Sequence, residues 1–274
     1  MRRPVVRLRA DGTTNRRPDT LAVEEPLEIH VGGEPYTVTM RTPGHDLDLA
    51  LGFLVSEGVV HSPDQVVSVR HCPDADTGPD GLPTHNVVEV VLAEGVEPPQ
   101  QQNRRLVSSA CGVCGSESVA AVRTRSAFDV SGDPLTLAAV LVAALPTRLR
   151  EDQRVFDRTG GLHAAGLFDA EGRLLCLRED VGRHNAVDKV VGWALAAGRL
   201  PLTGHVLQVS GRASFELVQK TWTAGLPMIA AVSAPSSLAV DLAVEAGLTL
   251  VGFSRGDSFT VYSRDDRITP WPPS

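Results

Sequence analysis

The residues of this chain best suited to chemistry are two thiols in the run Ser108-Ser109-Ala110-Cys111-Gly112-Val113-Cys114-Gly115-Ser116. Thiols two residues apart ligate a metal, exchange a disulfide or carry sulfur as a persulfide, and their surroundings select among these. As zinc ligands, Cys111 and Cys114 need two more donors, but no second closely spaced Cys or His pair is present. Cys72, Cys176, His71 and His85 are isolated and would have to converge by folding. A thioredoxin-type pair sits between a strand and a helix; this one follows a polar stretch and Ser-Ser, with weak helical signal after it. Gly112 and Gly115 suit a mobile loop whose thiolate accepts a sulfane sulfur, the second thiol protecting or resolving the persulfide. Local sequence does not separate redox exchange from sulfur carriage.

Two further places could bind an anion. The strand Val206–Val209 runs into Ser210-Gly211-Arg212-Ala213-Ser214 and a helix, and Met228–Val232 runs into Ser233-Ala234-Pro235-Ser236-Ser237 and another helix. A helix N-terminus offers unpaired N–H groups, glycine permits close backbone approach, and Arg212 can fork onto a phosphate. One such junction would read as plain serine N-caps. Two of them, at the ends of sheet strands where α/β folds bind ligands, favour a phosphate site.

The densest polar cluster, Glu179-Asp180-Val181-Gly182-Arg183-His184-Asn185, opens a helix. It reads equally as a recognition cluster and as a capped helix start with a local Asp180–Arg183 ion pair. His163 lies in Thr159-Gly160-Gly161-Leu162-His163-Ala164-Ala165. A zinc deaminase needs His-x-Glu and a later Pro-Cys-x-x-Cys, and both are missing, so deamination is excluded. A single His in an apolar strand is expected to be a hydrogen-bonded structural residue.

These groups must be positioned by the elements around them. Residues 1–20 have no periodicity and are expected to form a flexible arm. Leu27, Ile29 and Val31, then Gly32-Gly33, then Tyr36, Val38 and Met40 form a hairpin signal. Leu47, Ala50, Leu51, Leu54 and Val55 follow at helical spacing, stopped by Gly58, and strands follow over 65–70 and 86–92. A helix is expected over 135–145, broken at Pro146, with a second helical stretch running to Gly160-Gly161. Strands at 162–168, 174–178, 206–210, 228–233, 249–254 and 259–263 alternate with helices at 184–197, 214–224 and 236–246. That alternation predicts a three-layer α/β sandwich around a partly parallel sheet. The expected division is a 1–20 arm, a 21–122 α+β domain containing the Cys loop (104–118), and a 123–274 domain, with the Cys pair near the hinge.

Bulk properties narrow the class. The 274 residues are 42 % hydrophobic, enough for a large core, and 26 basic against 33 acidic residues leave a net charge of −7. That balance disfavours a nucleic-acid binder, though not a local basic pocket. No apolar run is long enough to span a bilayer. Arg2-Arg3 and Arg16-Arg17 do not lead into an apolar export segment, and the four cysteines make no disulfide framework, so a cytoplasmic protein with no membrane partner is expected.

The ordered set Glu25-Pro26-Leu27, Thr42-Pro43, Gly52-Phe53-Leu54, Cys111-Gly112-Val113-Cys114-Gly115, Thr159–His163, Glu179–Lys189, Ser210-Gly211-Arg212, Ser233–Ser236 and Gly252-Phe253-Ser254-Arg255 resembles the formate dehydrogenase accessory sulfurtransferases, the FdhD family. The resemblance runs from about Glu25 onward. It implies that Cys111 carries a persulfide with Cys114 assisting, and that sulfur passes from a cysteine desulfurase to the molybdenum cofactor before it enters formate dehydrogenase. It also implies a C-terminal domain of cytidine deaminase-like fold, usually in a homodimer, that binds the bis(molybdopterin guanine dinucleotide) form of the cofactor with no catalytic metal of its own. Phe253, Ser254, Arg255, Gly256, Asp257 and Ser258 would line that site. Ser210, Gly211, Arg212, Ser233 and Ser236 would supply anion contacts, and Asp180, Arg183 and His184 stand between cofactor contact and domain stability. A rival reading is a non-catalytic cofactor chaperone whose cysteines are structural or metal-binding.

Overall fold

The computed structural model describes residues 1–72, 84–97, 106–107 and 126–271. Two sheets dominate. The first is built from β3 (Glu25–Val31), β4 (Glu34–Arg41), β5 (Val66–His71), β6 (Val87–Leu92) and the short β7 (Leu106–Val107), in the order β5-β6-β3-β4-β7, with α1 (Asp46–Ser56) between β4 and β5 in sequence. The expected hairpin is β3–β4, and its inward residues Leu27, Ile29 and Tyr36 are buried, together with Leu49, Leu54 and Val55 of α1.

Residues 1–20 pair as an exposed antiparallel hairpin, β1 (Arg2–Leu8) with β2 (Thr14–Thr20), where an arm without regular structure was expected. Its order comes from backbone pairing; almost nothing on it is buried, so it leaves no hydrophobic period to read.

The second part begins with β8 (Leu137–Ala138), α2 (Ala139–Glu151) and α3 (Arg154–Thr159). It continues with β9 (His163–Phe168), β10 (Leu174–Asp180), α4 (Arg183–Ala196), β11 (Val206–Val209), α5 (Phe215–Thr223), β12 (Met228–Ala231), α6 (Ser237–Ala246), β13 (Thr249–Arg255), β14 (Ser258–Ser263) and β15 (Ile268–Thr269). The six-stranded sheet has the order β10-β9-β11-β12-β13-β14, and β11, β12 and β13 run parallel at its centre. Alternate residues feed opposite faces. Leu167, Leu207, Ile229 and Leu250 pack with α4, α5 and α6, whereas Phe168, Val206, Met228 and Val251 pack with Val142, Leu145 and Leu149 of α2. The architecture is mixed α/β, with helices on both faces of this sheet and one apolar cluster running continuously into the first sheet.

Helices α1 and α4 join the two halves by backbone contact. A Cβ placed on Gly52 would lie 1.8 Å from the Asp188 carbonyl oxygen, and one on Gly192 would lie 1.8 Å from that of Asp48. No side chain other than hydrogen fits at either crossing point.

Pro146 does not break the helix expected to stop there; it lies inside α2. Proline lacks an N–H and frees the carbonyl four residues earlier. That carbonyl, of Val142, accepts instead from Ser254 Oγ of β13 at 3.3 Å. Tertiary contact supplies the missing bond, and local propensity is overridden.

Candidate functional site

At the carboxyl ends of the parallel strands the two serine-rich junctions lie side by side. Ser233 N–H donates to the Gly211 carbonyl at 3.2 Å and Ser236 N–H to that of Ala213 at 3.0 Å, while Ala213 and Pro235 form a parallel bridge. Phe253 N–H donates to the Ser233 carbonyl at 3.2 Å, which brings the β13–β14 turn against the same rim. On the other flank Ser210 N–H donates to the Ala164 carbonyl and Ala164 N–H to Ser210 Oγ, each at 2.9 Å. The fold thus gathers segments far apart in sequence around one end of the sheet, where α/β proteins place ligands.

A cleft of about 700 Å³ opens beside this rim, between the end of α2, the α3 segment and the strand ends. Leu149, Phe156, Leu162, Val181 and Val232 make it largely apolar, and Gln153, His163 and Ser210 supply polar groups. Arg150 and Arg255 bring positive charge to it; both are exposed. Arg150 is held against Asp157 at 2.6 Å, with its guanidinium carbon 4.8 Å from the centre of the Phe156 ring. An apolar hollow with a few neutral hydrogen-bonding groups and cations at its mouth suits a heterocycle carrying phosphates.

His163 opens β9 in this cleft, against Gly211, whose added Cβ would meet the ring at 3.4 Å. The ring makes no hydrogen bond with the described residues, which differs from the structural role expected of it. Burial, with the neighbouring charges of Arg183 and His184, holds its pKa below the ordinary 6.5. The imidazole is therefore neutral at neutral pH and offers one N–H and one lone pair.

The polar run behind the cleft has another task. Asp180 is 0 % exposed and accepts four hydrogen bonds: from Lys189 Nζ at 2.7 Å, Gly182 N–H at 2.8 Å, Thr42 N–H at 3.0 Å and Asn185 Nδ2 at 3.2 Å. Its ion pair is with Lys189, not with Arg183 as the local spacing suggested. Lys189 also donates to the Thr42 carbonyl at 2.8 Å, and Asn185 Nδ2 to that of Met40 at 2.7 Å. This hub ties α4 to the end of β4. Beside it Asp188 accepts from Ser56 Oγ at 2.6 Å and Lys220 Nζ at 2.8 Å, adding α1 and α5 to the knot. His184 Nε2 lies 2.8 Å from Glu216 Oε2 and 3.3 Å from Ser214 Oγ, linking the N-termini of α4 and α5. Burial alone would raise the Glu216 carboxyl, but its bond to His184 and the charges of His184, Lys220 and Arg183 bring it below the ordinary 4.5. Arg183 contributes a partly buried guanidinium whose Nε has no partner among the described residues.

The residues singled out from sequence therefore divide. Ser210, Arg255 and Gly256 line the cleft; Gly211, Arg212, Ser233 and Ser236 belong to the adjoining loops. Arg212 is exposed, and Ser236 Oγ caps α6 by accepting from Ala239 N–H at 3.3 Å. Phe253, in the left-handed region at φ 52°, is exposed, as are Asp257 in the β13–β14 turn and Ser258 at the start of β14. Ser254 is 0 % exposed and bound to α2, so its hydroxyl is turned away from the cleft's use. Asp180 is likewise consumed by the hub. Cys111 and Cys114 lie outside the described residues. Gln153, Arg150 and Phe156 escaped the sequence reading because they sit in a short, weakly patterned stretch. The one signal for them was that this polar stretch ran directly into the Gly160-Gly161 turn before a strand.

Comparison with known proteins bears on the same chain. The model of the FdhD/NarQ family matches residues 22–269. A sulfur carrier protein FdhD of Mycolicibacterium paratuberculosis is 57 % identical over 269 residues, covering 97 % of this chain and 98 % of that protein. The protein of the same name from Streptomyces avermitilis is 57 % identical over 270 residues, covering 97 % and 95 %. A crystal structure described as that of a formate dehydrogenase accessory protein, from Desulfotalea psychrophila, shares the fold with a TM-score of 0.75 at 23 % identity, covering 98 % of this chain and 99 % of that one. With a family model over most of its length and relatives this similar end to end, the chain belongs to the FdhD/NarQ family.

Proposed function

We propose that this protein is a sulfur carrier that takes persulfide sulfur from a cysteine desulfurase onto Cys111. It passes that sulfur to the molybdenum cofactor, as bis(molybdopterin guanine dinucleotide), before insertion into formate dehydrogenase. The observation that carries this reading is the 57 % identity, over nearly the full length, to proteins named sulfur carriers, in a chain that has the Cys111-Gly112-Val113-Cys114 pair. The Cys111 thiolate attacks the outer sulfur of the donor persulfide; one S–S bond forms, the donor's breaks, and the donor leaves as a thiolate. Attack by Cys114 on the inner sulfur then forms the Cys111–Cys114 disulfide and releases the outer sulfur as sulfide, the two thiols having supplied both electrons.

In this reading the cargo's nucleotide end enters the cleft, with Arg255, Gly256 and the junction around Ser210, Gly211 and Arg212 toward its phosphates. The adjoining Phe253, Asp257, Ser258, Ser233 and Ser236 complete the rim, and Arg183 and His184 lie behind it. The mixed sheet with helices on both faces supports a cytidine deaminase-like sandwich that has lost deaminase chemistry. The protein would work as a cytoplasmic homodimer. Incubation with a desulfurase and cysteine, followed by intact mass, tests the carrier role. Mass should rise in steps of about one sulfur atom, and Cys111→Ala should abolish the gain. Absence of added sulfur, with zinc bound instead, would establish the cysteines as metal ligands in a cofactor chaperone.

A further inference from the structure

Resting on that reading of the cleft, we propose that Gln153 is the residue that binds the edge of the nucleotide's base, pairing its side-chain amide with the adjacent C=O and N–H of a guanine-type ring. Gln153 is only 4 % exposed, yet it lines the cleft and its amide has no hydrogen-bond partner among the described residues. A buried amide without a partner is costly to keep, so such a group marks a place where a ligand supplies the partner.

The fold does not need this side chain. Gln153 precedes α3 but makes no side-chain cap. The first amides of α3 are taken by Glu179 of β10, whose two carboxylate oxygens accept from Val155 and Phe156 N–H at 2.9 and 2.8 Å. That carboxylate also fills the anion-attracting end of α3, leaving the neighbouring cleft to a neutral group. Around Gln153 the walls are largely apolar, with Leu149 and Phe156 among them, and the other neutral polar groups are Thr147, His163 and Ser210. Charge enters only with the side chains of Arg150, Glu151 and Arg255. An amide presents one donor beside one acceptor, the complement of a ring lactam, whereas a phosphate would call for donors alone.

The test measures binding of GDP, IDP and inorganic diphosphate to the full chain and its variants by calorimetry, with thermal unfolding to verify the fold. Gln153→Leu should weaken GDP and IDP by about tenfold or more and leave diphosphate unchanged. Gln153→Glu replaces the amide donor by a second acceptor. It should therefore favour GDP, whose ring N–H stands beside an amino group, over IDP, which lacks that group, while the native protein treats the two alike. The second variant decides the matter if the first does not fold. Unchanged GDP affinity in Gln153→Leu, or equal losses of GDP and diphosphate, would overturn the assignment while leaving the nucleotide cleft intact. If the native protein bound no GDP at all, the cleft reading itself would fail and this inference with it.

Discussion

Two polar regions of this molecule lie close together and differ in one respect. In the hub around Asp180 and Lys189 the carboxylate, the ammonium and the Asn185 amide are each bonded within the chain. In the cleft, Gln153 and His163 face an apolar hollow without partners among the described residues. The hub is the denser cluster and looks the more functional in sequence. Its atoms are nonetheless already spent on holding two sheets together, and the emptier region has the valences left for a ligand. Polar density marks importance to the chain, whereas unmet polar valence marks capacity to bind something else.

The strongest way to break this comparison is to cut the hub. Lys189→Met removes the partner of a fully buried carboxylate and should cost about 3–5 kcal/mol, read as a lowered urea midpoint. Gln153→Leu replaces an unpaired buried amide by an apolar group and should leave the same midpoint unchanged or raise it. Equal effects would show that both residues are structural.

Ser254→Ala sharpens the boundary between the regions. Ser254 belongs to the cofactor-lining segment in sequence, but its hydroxyl serves the carbonyl that Pro146 frees. Loss should cost about 1–3 kcal/mol for an unsatisfied buried carbonyl, with diphosphate affinity unchanged.

The smallest effect concerns Glu216, which supports the His184 side of the hub. Its folded pKa lies below the ordinary 4.5, so the native state holds that proton less readily than the unfolded chain does. The stability it contributes is complete above 4.5 and is lost as pH falls through the folded value. Glu216→Gln should therefore flatten the acid limb of a stability–pH curve and leave its slope above pH 6 unchanged.

Much of the architecture was legible. The alternation of Leu27, Ile29 and Val31, and the 206–263 series of strands and glycine-stopped helices, follow the burial of one face or one stripe, which leaves a period in the sequence. The Pro146 helix and the 1–20 hairpin were not legible, since each depends on bonds whose partners are distant in sequence or purely backbone. At the site, the two serine junctions were visible because strand–turn–helix boundaries carry local signals. Gln153 was invisible, for a buried amide is notable only when its surroundings are known to leave it unpaired.

By itself, then, the sequence determined most of the strands and helices beyond the first twenty residues, the family, and the spacing of the thiols Cys111 and Cys114. These are encoded by residue type, spacing and period along the chain. Only the tertiary structure decided that Asp180 pairs with Lys189, that Ser254 closes a helix, and that Gln153 and His163 open onto one cleft. Each of those depends on which distant atoms meet, and pairing within the fold is what separates a polar group that holds the protein together from one left free to bind.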